Sequence, residues 1–175
     1  MKRQALWMAS MALLVGLTAL GQEQGDLSAL LLPQETLREV FGDDSWVLAS
    51  AGALAELPPG AVTSATAIYE SPARKLDVVM WDFEQLEQGQ GFLAAALEAL
   101  KPDFKADFSD VLELVNTEGR ENLADAAVFL EFKSGKNRIF FVRGTLLISL
   151  ESDLPVETLV QLVQSYVDFL AQNER

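Results

Sequence analysis

Three consecutive runs of strand-forming residues, Ala126–Lys133, Arg138–Arg143 and Thr145–Glu151, lead into a helix-period stripe and constrain this chain most. Only Ser134-Gly135-Lys136-Asn137 and Gly144 separate the runs, so each strand must lie antiparallel beside the one before it. After them, Leu159, Leu162, Val163, Tyr166, Val167 and Leu170 recur on one face of a helix, with Asp153 placed to cap it. Such a helix can bury its stripe only by lying on the sheet that precedes it.

The upstream half repeats this grammar. Ala61–Glu70 and Lys75–Phe83 form a strand pair joined by Ser71-Pro72-Ala73-Arg74, after the firm break Pro58-Pro59-Gly60. In the second strand Leu76, Val78 and Met80 alternate with Val79, Trp81 and Phe83, so both faces are apolar. Ser45–Ala51 and Val111–Val115 supply shorter strands, and Asn116–Asn122 a polar loop. Pro33 opens a helix with Leu37, Val40 and Phe41 on one face and Gly42 as its stop. Gly89-Gln90-Gly91 introduces another helix, Phe92–Leu100, which Lys101-Pro102 ends. Strands in runs, with helices before, between and after, imply an α+β domain: a twisted antiparallel sheet of about five to six strands with helices packed mainly on one face.

The N-terminus speaks to location. Lys2 and Arg3 precede the uncharged run Ala5–Leu20, and Ala19 and Gly21 place small residues where a signal peptidase reads. At 16 residues the run is short of the about 20 that a spanning helix needs. The expected organisation is a signal peptide over 1–21, a polar lead-in over 22–29 and one globular domain over 30–175. The expected location is periplasmic or extracellular after cleavage, with no stable membrane insertion.

Charge and two missing residue types narrow the chemistry. The chain carries 13 basic and 26 acidic residues, and loss of residues 1–21 leaves 11 against 26, a net −15. That field repels nucleic acid and anionic lipid headgroups, which excludes a nucleic-acid partner. There is no cysteine, hence no disulfide and no lipid attached through one. There is no histidine either, which removes the Ser-His-Asp and Cys-His nucleophile systems and the commonest transition-metal ligand. Catalysis would have to rest on carboxylates, lysine, tyrosine or a Ser/Lys pair. No cofactor is implied.

Four constellations remain. Asp103, Asp107 and Asp110 share the spacing of a helix face, with Asp43-Asp44 as a second acidic pair, but the alternating calcium-loop pattern is missing. They read as a solvated face and no metal site is expected. Asp77, Asp82 and Glu84 flank one strand and supply the carboxylates a glycosidase needs, provided two of them face each other at roughly 5 or 6.5–9.5 Å. Lys133, Lys136, Arg138 and Arg143 gather basic charge on one hairpin, as an anion or partner contact or as protection of a sheet edge. Trp81, Phe129 and Phe141 would line a ligand groove if the sheet face away from the helices is open, and are core if it is covered.

The opening Leu30-Leu31-Leu32-Pro33…Leu37-Arg38-Glu39-Val40-Phe41-Gly42, the stretch Asn122-Leu123-Ala124-Asp125-Ala126-Ala127, the turn Arg143-Gly144-Thr145 and the long closing helix resemble bacterial extracytoplasmic sensor domains of receptor serine/threonine kinases and related exported envelope domains. The chain departs from that pattern in lacking cysteine, a kinase and a spanning helix, and no functional residue carries over. The resemblance implies an antiparallel sheet with a helical layer and a binding role at the cell envelope. The reading is a non-catalytic exported domain that binds a small apolar or amphipathic ligand or an envelope protein. The alternative is a carboxylate-dependent hydrolase of envelope glycans.

Overall fold

In the computed structural model, which describes residues 27–108 and 124–173, seven strands form one antiparallel sheet. They are β1 (Val47–Gly52), β2 (Ala61–Glu70), β3 (Lys75–Phe83), β4 (Phe104–Phe108), β5 (Ala126–Phe132), β6 (Asn137–Arg143) and β7 (Leu146–Ser152). Three α-helices accompany them among the described residues: α1 (Gln34–Phe41), α2 (Leu86–Leu100) and α3 (Val156–Asn173). The expected signal peptide, the strand Val111–Val115, the loop Asn116–Asn122 and Asp110 lie outside the described residues.

The spatial order β1-β2-β3-β7-β6-β5-β4 shows how the two sequence blocks combine. The hairpin β2–β3 meets the meander β5–β6–β7 along β3 and β7, from Leu76 opposite Ser152 to Asp82 opposite Leu146. The meander is thus inserted between β3 and β4, which follow one another in sequence. Helix α2 carries the chain across that gap. Its 15 residues span about 22 Å at 1.5 Å each, and four inter-strand spacings come to about 19 Å. The helix has the length of the crossing it makes.

Alternation along the strands divides the core into two layers. Leu76, Val78, Met80, Ile148 and Phe141 face α3, whose stripe from Leu159 to Leu170 is wholly buried, with Leu37 of α1 alongside. Trp81, Phe83, Leu130, Phe140 and Leu147 face the other way and pack beneath Leu93 and Phe92 of α2. The sheet is therefore helix-covered on both faces, two helices against one.

Two tyrosines tie the start of the described chain to this core. Tyr69 on β2 donates its hydroxyl proton to the carbonyl of Leu32, and Tyr166 on α3 donates to that of Leu30 at 2.7 Å. Leu27, in the 3₁₀ turn Leu27–Leu30, is already buried, so packing begins inside the stretch read as a lead-in. Helix α1 ends as its glycine implies, Gly42 adopting φ 58°.

Three expectations are corrected. Helix α2 starts at Leu86, so Gly89 and Gly91 lie within it rather than before it. A Cβ on Gly89 would stand 3.2 Å from Cδ2 of Phe83, so the glycine lets the helix approach β3 and is not a terminator. Asp153 does not cap α3: the helix begins at Val156, and Pro155 supplies the carbonyl that accepts the Leu159 N–H at 3.1 Å. Residues 104–108 are strand β4, paired with β5, so Asp103 and Asp107 do not share a helix face. The α-helix gives way to a 3₁₀ turn over Lys101–Asp103 that holds Pro102, and the ladder to β5 then satisfies the backbone better than another turn.

Candidate functional site

At one end of the sheet, β3 runs out, β5 begins and β6 turns into β7. Each event follows from local sequence. Gly144, at φ 54°, permits the tight turn between Arg143 and Thr145. Asp125 lies just ahead of β5, where its N–H bonds the Val142 carbonyl at 2.8 Å and its Oδ2 accepts the Gly144 N–H at 2.6 Å. Asp82 stands opposite Leu146 in the β3–β7 ladder, and the Phe83 N–H reaches the Thr145 carbonyl at 3.0 Å. The 3₁₀ turn held by Tyr166 brings Leu27 and Leu30 over this corner.

These segments enclose an open cleft of about 560 Å³, lined by Leu27, Leu30, Asp82, Asp125, Arg143, Gly144, Thr145 and Leu146. Its lining is of two kinds: three leucine side chains, and a set of two carboxylates, a guanidinium and a hydroxyl. One polar atom is unusual. Oδ1 of Asp82 is shut off from solvent and accepts no hydrogen bond. Three segments that carry the sensor-domain resemblance, at Leu30, Asp125 and Arg143-Gly144-Thr145, meet here although they are far apart in sequence.

The other sequence-predicted residues are placed elsewhere. Trp81 lies under α2, its ring 5.6 Å from that of Phe92, whereas Phe129 and Phe141 lie in the α3 layer. All three are buried, on two different faces, and no one groove gathers them. Asp77 and Asp82 are five residues apart on an unbroken stretch of β3, about 17 Å, and alternation points them to opposite faces. Asp77 pairs with Lys75 at 2.9 Å, and Glu84 follows the strand as an exposed residue. Asp77 and Asp82 therefore do not form the facing pair a glycosidase requires. Among the described residues no group of three or more acidic side chains is gathered to hold a metal ion.

The basic hairpin separates into two ends. Lys136 and Arg138 both bind Glu151, Lys136 at 2.6 Å and the Arg138 Nε at 2.9 Å, and the Arg138 guanidinium lies over the rings of Phe132 and Phe140. Burial pushes the Glu151 carboxyl up, but the Arg138 charge and the bonds from Lys136 and Arg138 outweigh it and hold it below its ordinary value. Lys133 donates to the Pro102 carbonyl at 2.6 Å. Arg143 stands at the far end of β6, in the cleft. The hairpin is not a sheet edge, because β4 covers β5.

Sequence reading found Asp82 and Arg143 for other reasons and missed Asp125, Leu27, Leu30, Thr145 and Leu146 as site residues. Their one common signal is that Leu30, Asp125 and Thr145 fall within the motifs of the resemblance.

No family model matches the chain, and no curated protein matches it in sequence. Among solved structures it is similar to a GTP binding regulator from Thermotoga maritima, at 13% identity over 79% of this chain and 90% of that one, with a TM-score of 0.44. It is also similar to the extracellular domain of PknH from Mycobacterium tuberculosis, at 12% identity over 90% of this chain and all of that one, with a TM-score of 0.57. The resemblance read from the sequence thus holds at the level of fold, and the chain shares its architecture with that extracellular domain.

Proposed function

We propose that this chain is an exported, non-catalytic envelope domain that holds a small amphipathic ligand in the cleft between the Leu27–Leu30 turn and the β6–β7 turn. The observation that carries the reading is the cleft's two-sided lining, leucines beside convergent polar groups, which is the usual make-up of a small-molecule site. A fold shared with an extracellular domain supports the location, and among the described residues no helix is long and apolar enough to cross a membrane. The separation of Asp77 and Asp82 removes that pair from the hydrolase alternative.

The test is native mass spectrometry of the purified protein after exposure to envelope lipid extract. A bound mass that Leu146→Arg abolishes is the expected result. A clean unliganded mass for the unaltered protein would refute the proposal.

A further inference from the structure

We infer that the open edge of β1 is a strand-addition site for an extended segment of another protein, uncharged at its centre and basic at both ends. The inference does not depend on the cleft.

Among the described residues β1 is the last strand on its side of the sheet, paired with β2 alone. Edge backbone of this kind is normally protected by charge or proline. Ser45 to Ala55 carries neither, in a chain where 22% of residues are charged. β4, at the opposite end of the sheet, carries Lys105 and Asp107. Every residue of β1 except Ser50 is exposed. The side chains from Ala49 to Ala53 are small, which lets a second backbone approach closely. The large apolar side chains exposed among the described residues are Val47 and Leu48 on this strand, and Val62 on β2 beyond its far end.

The register shows which groups are open. The Leu48 N–H bonds Oε1 of Gln34 at 3.2 Å, so it points away from β2, and Leu48 stands opposite Tyr69. Residues of an antiparallel pair alternate between bonding their partner and turning away from it. Ala51 stands opposite Ala67, two residues along β2 from Tyr69, and so it also turns its N–H and C=O outward. The Gln34 cap and the bulge after Leu48 shield the first half of the edge. The second half, from Ala51, is open.

Charge decides the occupant. Asp43 and Asp44 precede the strand and Glu56 follows it, all three exposed. Glu70, opposite Val47, is offset by Lys75, which stands opposite it on β3. A second copy paired through β1 would set acid against acid in either strand sense, with −13 on each molecule. A segment with basic ends meets those acids favourably, and the main-chain bonds of an added strand supply the affinity.

Fluorescence anisotropy with the labelled peptide Lys-Lys-Val-Thr-Val-Thr-Val-Lys-Lys tests the inference. It should bind one to one, and at least about tenfold tighter than the same peptide with glutamate in place of each lysine. Methylating the central backbone nitrogens keeps the charge and removes the donors, and should weaken binding by about tenfold or more. At saturation the Ala51 amide of the unaltered protein should exchange its hydrogen at least about tenfold more slowly. Asp43→Asn/Asp44→Asn/Glu56→Gln should erase the preference for lysine over glutamate ends. A methylated peptide bound as tightly as its parent would mean that cations merely adhere to an acidic surface, and would overturn the inference. Unchanged exchange at Ala51 would place the peptide elsewhere, and failure of the lysine peptide to bind would remove the site, either result overturning it. A dimer of the protein in sedimentation that Ala51→Pro dissociates would show a second copy to be the occupant, and would overturn it too.

Discussion

At the scale of single residues, Tyr69 and Tyr166 make the most specific claim. Both hydroxyls donate to carbonyls of the Leu30–Leu32 segment, and both are withdrawn from solvent. Burial pushes Tyr69 up to about 12, and burial with the nearness of Tyr69 pushes Tyr166 well above the ordinary tyrosine value. The folded state therefore prefers neutral tyrosine. Its stability from these groups is complete below the unfolded value of 10.0 and is lost as pH rises toward 12. Urea midpoints measured from pH 9 to 12 should fall steeply over that window. In Tyr69→Phe/Tyr166→Phe the midpoint should be lower at pH 9 and the slope shallower. An unchanged slope would place the alkaline transition in other groups. Neither tyrosine's role was legible from the sequence. Tyr166 is marked as buried by its place in the stripe, but a partner at Leu30 is a long-range fact that periodicity does not encode.

At the scale of elements, helix α3 is where sequence and structure agree most closely. Each of the six stripe residues named from periodicity is buried against the sheet. Leu162→Ala should cost about 2–5 kcal/mol, the range for deleting a buried leucine side chain. Gln161→Ala, on the exposed side, should cost less than about 0.5 kcal/mol. Equal midpoints in urea for the two variants would mean that the helix does not dock. The strands β2, β3, β5, β6 and β7 were equally legible, because alternation and turn residues are local properties. Elements went wrong where a tertiary contact overruled a local cue. Gly89 looks like punctuation until Phe83 is placed against it, and Asp103 to Asp107 look like a helix face until β5 offers a ladder. The cleft was the least legible part, since it is made of chain corners rather than of any one element.

At the scale of the whole molecule, the strand order joins two blocks that sequence reading found separately but did not assemble. Pairing of β3 with β7 leaves no local trace, and the strut-like α2 shows its purpose only when the meander beneath it is known. Location is the remaining whole-molecule prediction, and it is carried by the N-terminal charge, apolar run and small residues. Expressed in a bacterial host, the protein should appear in a periplasmic or culture fraction with the intact mass of residues 22–175, less one ammonia if Gln22 cyclises. Recovery of the uncleaved chain from washed membranes alone would show the segment to be an anchor. The bond between Tyr166 and Leu30 closes over 136 residues of chain, and it has a consequence in time. The leucine segment and the α3 face of the sheet cannot be sealed until the residues of α3 have been made. A nascent chain that has emerged only through β7 still exposes Leu76, Met80, Ile148 and Phe141, and non-local closure of this kind is slow. Burial of that face thus waits for the final stretch of synthesis.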